Sequence, residues 1–468
     1  MNKLKKFLIL AFLCIFLVAC GDNDISSKNK NSIENELEAN KKNKMTIWEN
    51  KDFENNIRIL IGKPEGVIYT SDLDAITEIN ISRNNFQSNL NTSTPLQPVE
   101  LIYSNELYDL NNFENLKNIH ISFTSKANIN KFPKLNNCKN IETLIIEMGN
   151  ISDISNIMKY TRLKKLEIYG NTIDDISYIN NLKELENLIL FCIGPEVNTI
   201  TGHDYSDIDL TELSNLSSLK SLYIYNSRIK NTYVLDKFEN LESLVLKDTY
   251  LKYEDIYSLD NYNLKNIQLC IFEDINYKLD IPFNDTDIFD ISKLSNLKNL
   301  KELAIEGSVK NIANLKSLET IEITHSNINK DESFNNMERL KNLSLVMTSI
   351  ENNNIFKSLL NLNSLEIKDC KFDDLKSINM LTNLKKLVIL YGELTGDITD
   401  YGIFDIKDIQ TINNLEHIEL KFGNIINSQY LLEFDKLNYL DIKNSNVDNI
   451  DILNKLIDNS NIVFIYSN

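Results

Sequence analysis

Chemistry in a polypeptide needs ionisable or nucleophilic side chains at spacings that let them converge, and this 468-residue chain offers few such sets. Its histidines, His120, His203, His325 and His417, are scattered along the chain. No H-E-x-x-H pair offers two imidazoles to zinc, no G-x-S-x-G presents a serine, and no cysteine has a histidine close in sequence. The sequence therefore predicts neither an enzyme nor a cofactor. Aspartates do gather in three places: Asp204, Asp207 and Asp209; Asp285, Asp287 and Asp290; Asp397, Asp400 and Asp405. Calcium takes about six to eight oxygens, and clustered carboxylates could supply some of them. None of the clusters has the D-x-[DN]-x-[DN]-G order, so they read as acidic solvent-exposed loops, and no metal site is expected.

The N-terminus carries a different chemistry. Lys3, Lys5 and Lys6 precede an apolar run from Phe7 to Val18. That run covers about a dozen residues where a membrane-spanning helix needs ~20, so residues 1–19 read as a secretory signal peptide. It ends in Leu17-Val18-Ala19-Cys20, which resembles the lipobox of bacterial lipoproteins. The resemblance implies cleavage after Ala19, lipidation of the Cys20 sulfur, and an extracytoplasmic protein held on the outer face of a cell membrane or on an outer membrane. Two or more acyl chains would make that anchor stable. Residues 20–48 are rich in Asn, Lys, Ser and Glu and nearly free of large apolar side chains. Such a segment cannot bury enough to offset its ordering entropy. It reads as a disordered tether with an r.m.s. reach on the order of 30 Å.

The formal net charge of -18 and pI of about 4.8 argue against nucleic acid as a partner, because phosphate binding needs clustered Lys and Arg.

The elements that must position any site are set by a ladder of the form L-x-x-L-x-L. It appears as Leu116-Ile119-Ile121, Ile141-Leu144-Ile146, Leu163-Leu166-Ile168 and Leu185-Leu188-Leu190, and recurs about every 22 residues as far as Leu437-Leu440-Ile442. A fixed period of this size predicts a solenoid, in which each unit buries its apolar edge only by stacking on its neighbours. After each strand comes a small or polar residue and then apolar ones, as in Leu166-Glu-Ile168-Tyr-Gly-Asn171-Thr-Ile173-Asp-Asp175-Ile176. Here residues from about 75 to 468 resemble the leucine-rich repeat family, specifically the 22-residue bacterial type of the internalins. The resemblance implies an α/β solenoid: a horseshoe with a parallel concave sheet and short helical or irregular convex segments over residues 76–468. Residues 49–75 break the period. Phe53, Ile57, Leu60 and Ile61 have helical spacing and are followed by Gly62-Lys63-Pro64, which predicts an N-terminal helical cap. Ile76, Ile79 and Ile81 look like a first strand, and Leu101 lies on an irregular second one.

Where the family usually carries Asn after the strand, this chain has Asn171 but also Ser227, Thr249, Ser326, Thr348, Cys370 and Ser445, with Gly149 and Gly423. Ser and Thr can still bond backbone, with fewer groups, so a less rigid loop ladder is expected. Cys138, Cys192, Cys270 and Cys370 lie at least two repeats apart. Strands stack about 4.8 Å apart, so the separations exceed the ~7 Å Cα limit for a disulfide unless insert loops bend Cys192 or Cys270 closer, and a cysteine metal site is expected to fail on the same separation.

The period lengthens three times, to 34 between Leu185 and Leu219, 36 between Leu264 and Leu300, and 31 between Leu384 and Leu415. Each insertion begins just after a strand, which predicts three inserts on one edge of the horseshoe. Between Leu300 and Leu318 it shortens to 18.

Residues alternating with the ladder face outward from the concave sheet. Early in the solenoid they include Ile145, Tyr169, Ile189, Phe191, Tyr223, Tyr225 and Val245, an apolar and aromatic stripe of the kind that binds partners. Ordinary strand propensity is the competing explanation. Later outward positions are Glu302, Glu306, Glu322, Glu366, Glu419 and Asp441, interspersed with Lys368, Lys421 and Lys443, a pattern explained by cross-strand charge pairing. The expected function is recognition of a protein or other macromolecule, from a host or from the envelope, through the concave face and insert loops. By family resemblance an adhesin-like role is implied. The alternative is a structural cell-envelope lipoprotein without a specific ligand.

Overall fold

The computed structural model describes residues 43–82, 85–103, 105–123, 127, 129–191, 206–272, 288–328, 334–350, 353–370, 376–392, 402–457 and 462–466. The signal segment 1–19, the lipidation residue Cys20 and most of the tether lie outside them, as do Cys192, His203, Asp204, Asp285, Asp287, Asp397 and Asp400.

The described chain is a parallel leucine-rich repeat solenoid. Ladder residues pair with ladder residues turn after turn: Ile119 with Leu144, Leu144 with Leu166, Leu166 with Leu188, and onward to Leu440 with Phe464. Register survives every change of period. Leu188 pairs with Leu222, Ile267 with Leu303 and Leu387 with Ile418 across the three insertions, and Leu303 pairs with Ile321 across the shortened unit. The ladder residues are buried as far as Ile442, and Phe464 on the last strand is half-buried. The shortening is absorbed on the convex side, where that unit has only the 3₁₀ turn Ile312–Asn314.

Residues 43–116 close the first edge. In the helix Lys51–Leu60, Asn50 caps the N-terminus by accepting from the Phe53 amide at 3.0 Å. Phe53 and Ile57 are fully buried, and the Trp48 ring meets Phe53 and Phe113 edge-on at 5.6 and 5.9 Å. The first parallel strand is Glu78–Ser82, and Asn85–Ser88 folds back antiparallel on it. Its parallel neighbour is Asn118–Ser122, not a strand through Leu101. Leu101 is buried but outside any strand, because the chain there runs back over the cap rather than entering the sheet.

Three devices shape each turn. The first is a left-handed residue at the end of the concave pairing: Met148, Gly170, Asn226, Met347 and Phe422 directly follow their strands, and Asp248 interrupts Ser243–Tyr250 as a bulge, all with φ between +47° and +59°. A non-glycine residue there costs roughly 1–2 kcal/mol. The new direction lets its N–H continue the ladder, as from Met148 to the Tyr169 carbonyl and Met347 to the Lys368 carbonyl, both 2.8 Å.

The second device is the small residue that follows, which the bend points into the core. Asn171 donates to the Tyr169 carbonyl at 2.8 Å, and Thr348 Oγ1 donates to Val346 and Ile323 carbonyls at 2.9 and 3.3 Å. Cys370 Sγ does the same toward Leu345 at 3.3 Å, and Ser445 Oγ toward Leu420 at 2.9 Å. The Thr249 and Ser326 hydroxyls are buried without a partner, so this ladder is thinner than an all-asparagine one. At Gly423 a side chain would collide with the Phe404 ring.

The third device is an asparagine ladder displaced to the segment before the concave strand. Asn240, Asn299, Asn361, Asn383 and Asn414 each donate to a carbonyl of the preceding turn at 2.7 to 2.9 Å. Asn261, 3 % exposed, donates to both the Leu235 and Phe238 carbonyls at 3.0 Å.

Past the left-handed residue, short strands form a second parallel ladder. Ser206–Asp209 pairs with Ser227–Lys230, Phe289–Asp290 with Val309–Lys310, and Gly402–Asp405 with Gly423–Ile426. Cys138, Cys270 and Cys370 are free thiols.

The displaced ladder makes a test. Replacing Asn261 by Ala removes two buried hydrogen bonds to carbonyls that keep their backbone partners and should cost about 1–3 kcal/mol in urea unfolding, whereas exposed Asn383→Ala should cost less than about 1 kcal/mol. Equal effects would show that the buried bonds are not the source of the stabilisation.

Candidate functional site

Parallel register sorts the concave side chains into rows. One edge row reads Glu147, Tyr169, Phe191, Tyr225, Lys247, Cys270, Glu306 and Thr324. The central row reads Ile145, Glu167, Ile189, Tyr223, Val245, Gln268, Ala304 and Glu322.

Tyr169, Phe191 and Tyr225 are therefore direct neighbours. Their ring centroids are 6.0 Å apart for Tyr169 and Phe191, and 5.2 Å apart for Phe191 and Tyr225. Phe191 is 36 % exposed, and both tyrosines are half-buried. Ile189 and Tyr223 lie beside them in the central row, also half-buried. Val245 continues that row but is only 4 % exposed, so it supports the surface more than it offers area. Ile145 stands apart from Ile189, because Glu167 occupies the intervening turn.

Glu167 is the side chain that sequence reasoning missed. It is 9 % exposed, takes a hydrogen bond from the Tyr169 hydroxyl at 3.0 Å and pairs with Lys165 at 2.9 Å. Burial, and then that carboxylate, push the Tyr169 phenol above its ordinary pKa, so it stays a donor at any physiological pH. The alternation rule pointed at position 167, but charged residues are seldom this buried, and an apolar stripe drew attention past it.

The later half of the face is a network of charges. Glu366 meets Lys368 and Lys386, both at 2.6 Å, and Lys421 meets Glu419 at 3.1 Å and Asp441 at 2.8 Å. His417 adds a contact to Glu419 at 2.7 Å and stacks on Tyr439 at 4.2 Å. Glu366–Lys386 and Lys421–Asp441 cross between strands, as cross-strand pairing predicts, while Glu366–Lys368, Glu419–Lys421 and His417–Glu419 lie along one strand.

After each insertion the described chain resumes on the second ladder, in the strands Ser206–Asp209, Phe289–Asp290 and Gly402–Asp405. The last acid of each cluster is not a free loop carboxylate. Asp209, Asp290 and Asp405 cap the following 3₁₀ turn, accepting from the amides of Thr211, Ser292 and Lys407 at 2.9, 3.1 and 3.0 Å. Each also accepts from a left-handed asparagine one turn on, Asn231, Asn311 or Asn427, at 2.9 Å. Asp207 is paired with Arg228 at 2.9 Å and with Lys230.

No protein-family model matches the chain, and no curated protein does. Solved structures do. An internalin (inlF) from Listeria monocytogenes aligns with 17 % identity over 90 % of this chain and 96 % of its own, with a TM-score of 0.46. A leucine-rich repeat protein of Leptospira interrogans aligns with 18 % identity over 72 % of this chain and 80 % of its own, at 0.42. The mouse RP105/MD-1 complex aligns with 16 % identity over 72 % and 65 %, at 0.47.

The charge network has a pH signature. Burial works against ionisation of Glu366, yet hydrogen bonds from Lys368 and Lys386 outweigh it and hold the carboxyl below its ordinary range. A depressed carboxylate pKa contributes stability above the unfolded value, lost as pH falls through the folded value. Wild type should therefore exceed Glu366→Gln in urea midpoint at pH 7, with the gap closing as pH drops below about 4. A gap independent of pH would mean that packing, not charge, is responsible.

Proposed function

We propose that the chain is a lipid-anchored extracytoplasmic recognition protein that binds a protein partner through the aromatic part of its concave face. The observation that carries this is the in-register row Tyr169, Phe191 and Tyr225, flanked by Ile189 and Tyr223 and open to solvent at Phe191. Tyr and Phe give large contact area with few rotatable bonds, and they are enriched at protein interfaces. Glu167 and Lys165 supply polar groups at the margin of the patch.

Anchorage is proposed from the sequence, through acylation of Cys20. Among the described residues no helix is long and apolar enough to cross a membrane. The net charge of -18 favours a partner that is not polyanionic.

Partners captured from envelope and host-cell extracts by the wild-type chain should be lost by the triple variant Phe191→Ser, Tyr223→Ser and Tyr225→Ser. Direct titration of the recovered partner should then show affinity reduced on the order of 100-fold, given the ~2 kcal/mol or more that central aromatic anchors contribute. Equal affinity for a folded variant would remove the concave row from the function and leave the structural reading of the protein.

A further inference from the structure

The row that holds the aromatic residues continues into a second constellation. Asp248, Cys270 and Glu306 come from three successive turns, and one ligand-type atom of each lies within 4.8 Å of the others. Cys270 is the direct register partner of Glu306, and its thiol donates to Asp248 Oδ1 at 3.4 Å. The sulfur belongs to a residue only 3 % exposed, while both carboxylate residues are half-buried. His325, one turn beyond, places Nδ1 2.9 Å from Glu306 Oε1. Among the described residues this is the only ion pair of either carboxylate, and Lys247, the other register neighbour of Cys270, is exposed.

We propose that Asp248, Cys270 and Glu306 bind a divalent transition metal ion, with zinc the best chemical fit and His325 orienting Glu306. Two carboxylates facing a buried thiol, with one imidazole between them and the next turn, form a set that a cation completes. A thiolate discriminates against calcium and magnesium, which prefer all-oxygen shells, and favours zinc and its neighbours. In the metal-free protein the thiol proton is directed at Asp248. Binding replaces it: the S–H bond breaks, the sulfur keeps the electron pair and bonds the ion, and the proton leaves to solvent. Three protein ligands leave a fourth tetrahedral position. An imidazole that holds a ligating carboxylate from behind is a common way to fix its orientation. The separation of the cysteines from one another excludes a multi-cysteine site, as the repeat spacing predicts, but leaves this mixed set open because its other members come from adjacent turns. The inference is independent of the aromatic surface.

The test uses the full chain, reduced, stripped with a chelator and titrated with Co²⁺ alone. The expected result is one equivalent bound with a sulfur-to-cobalt charge-transfer band and the visible absorption of a tetrahedral ion. Cys270→Ser should abolish the band, and Cys370→Ser should leave it intact. Glu306→Gln and Asp248→Asn should each weaken affinity at least about tenfold, and His325→Gln should weaken it by about tenfold with the band retained. Circular dichroism of each variant establishes folding; should Cys270→Ser not fold, the Glu306→Gln and Asp248→Asn titrations decide. Folded wild type that binds stoichiometric Co²⁺ without a thiolate band, or does not bind it, overturns the proposal. So does a band that survives in Cys270→Ser, one that disappears in Cys192→Ser, or affinity unchanged in both carboxylate variants.

Discussion

The structure depends on one constraint, the in-register pairing of apolar residues between successive parallel strands. A single unit has an apolar edge with nothing to cover it, and only the next unit in the same register does so. A slip of one residue would turn Leu188 or Leu222 toward solvent and a neighbour such as Ile189 or Tyr223 into the core. That is why register persists where chain length does not, across insertions near residues 192, 273 and 393 and across the short unit at Leu300. Length is adjusted only where the chain is outside the concave ladder.

Much of this was legible in the sequence, because the leucine period reports the constraint directly. The solenoid and the parallel concave sheet follow from it. Other features were hidden for physical reasons. The left-handed position is occupied by Met, Asn, Asp, His and Phe as well as Gly, so no residue type marks it, and tertiary hydrogen bonds impose the conformation. The asparagine ladder was overlooked because it had moved. Its signal, Asn directly before the first ladder leucine as in Asn240-Leu241 and Asn383-Leu384, was present but sits at the other end of the strand. The second ladder uses strands of two to four residues, too short for an alternation pattern. Asp248, Cys270 and Glu306 are separated by 22 and 36 residues, and only the register shows them to be neighbours.

The two sides of the sheet obey different rules. Inward positions admit almost only Leu and Ile, because the space is fixed on all sides. Outward positions answer to cross-strand neighbours alone, and the chain has used that freedom unevenly. The early turns carry aromatic and aliphatic groups around one buried carboxylate, and the later turns carry ion pairs. The surface thus changes character along a backbone that hardly changes, and the thiol of Cys270 falls at the transition.

The Asp–Asn clasp that ends every insert has a consequence for how such a protein can diversify. Asp209 with Asn231, Asp290 with Asn311 and Asp405 with Asn427 re-establish the same geometry after excursions of unequal length. Each clasp acts as a socket: whatever sequence is plugged in upstream, the chain is handed back to the scaffold at the same point and in the same direction. Loop content is thereby insulated from folding, and a lineage carrying this socket could exchange what it displays while inheriting its framework unchanged.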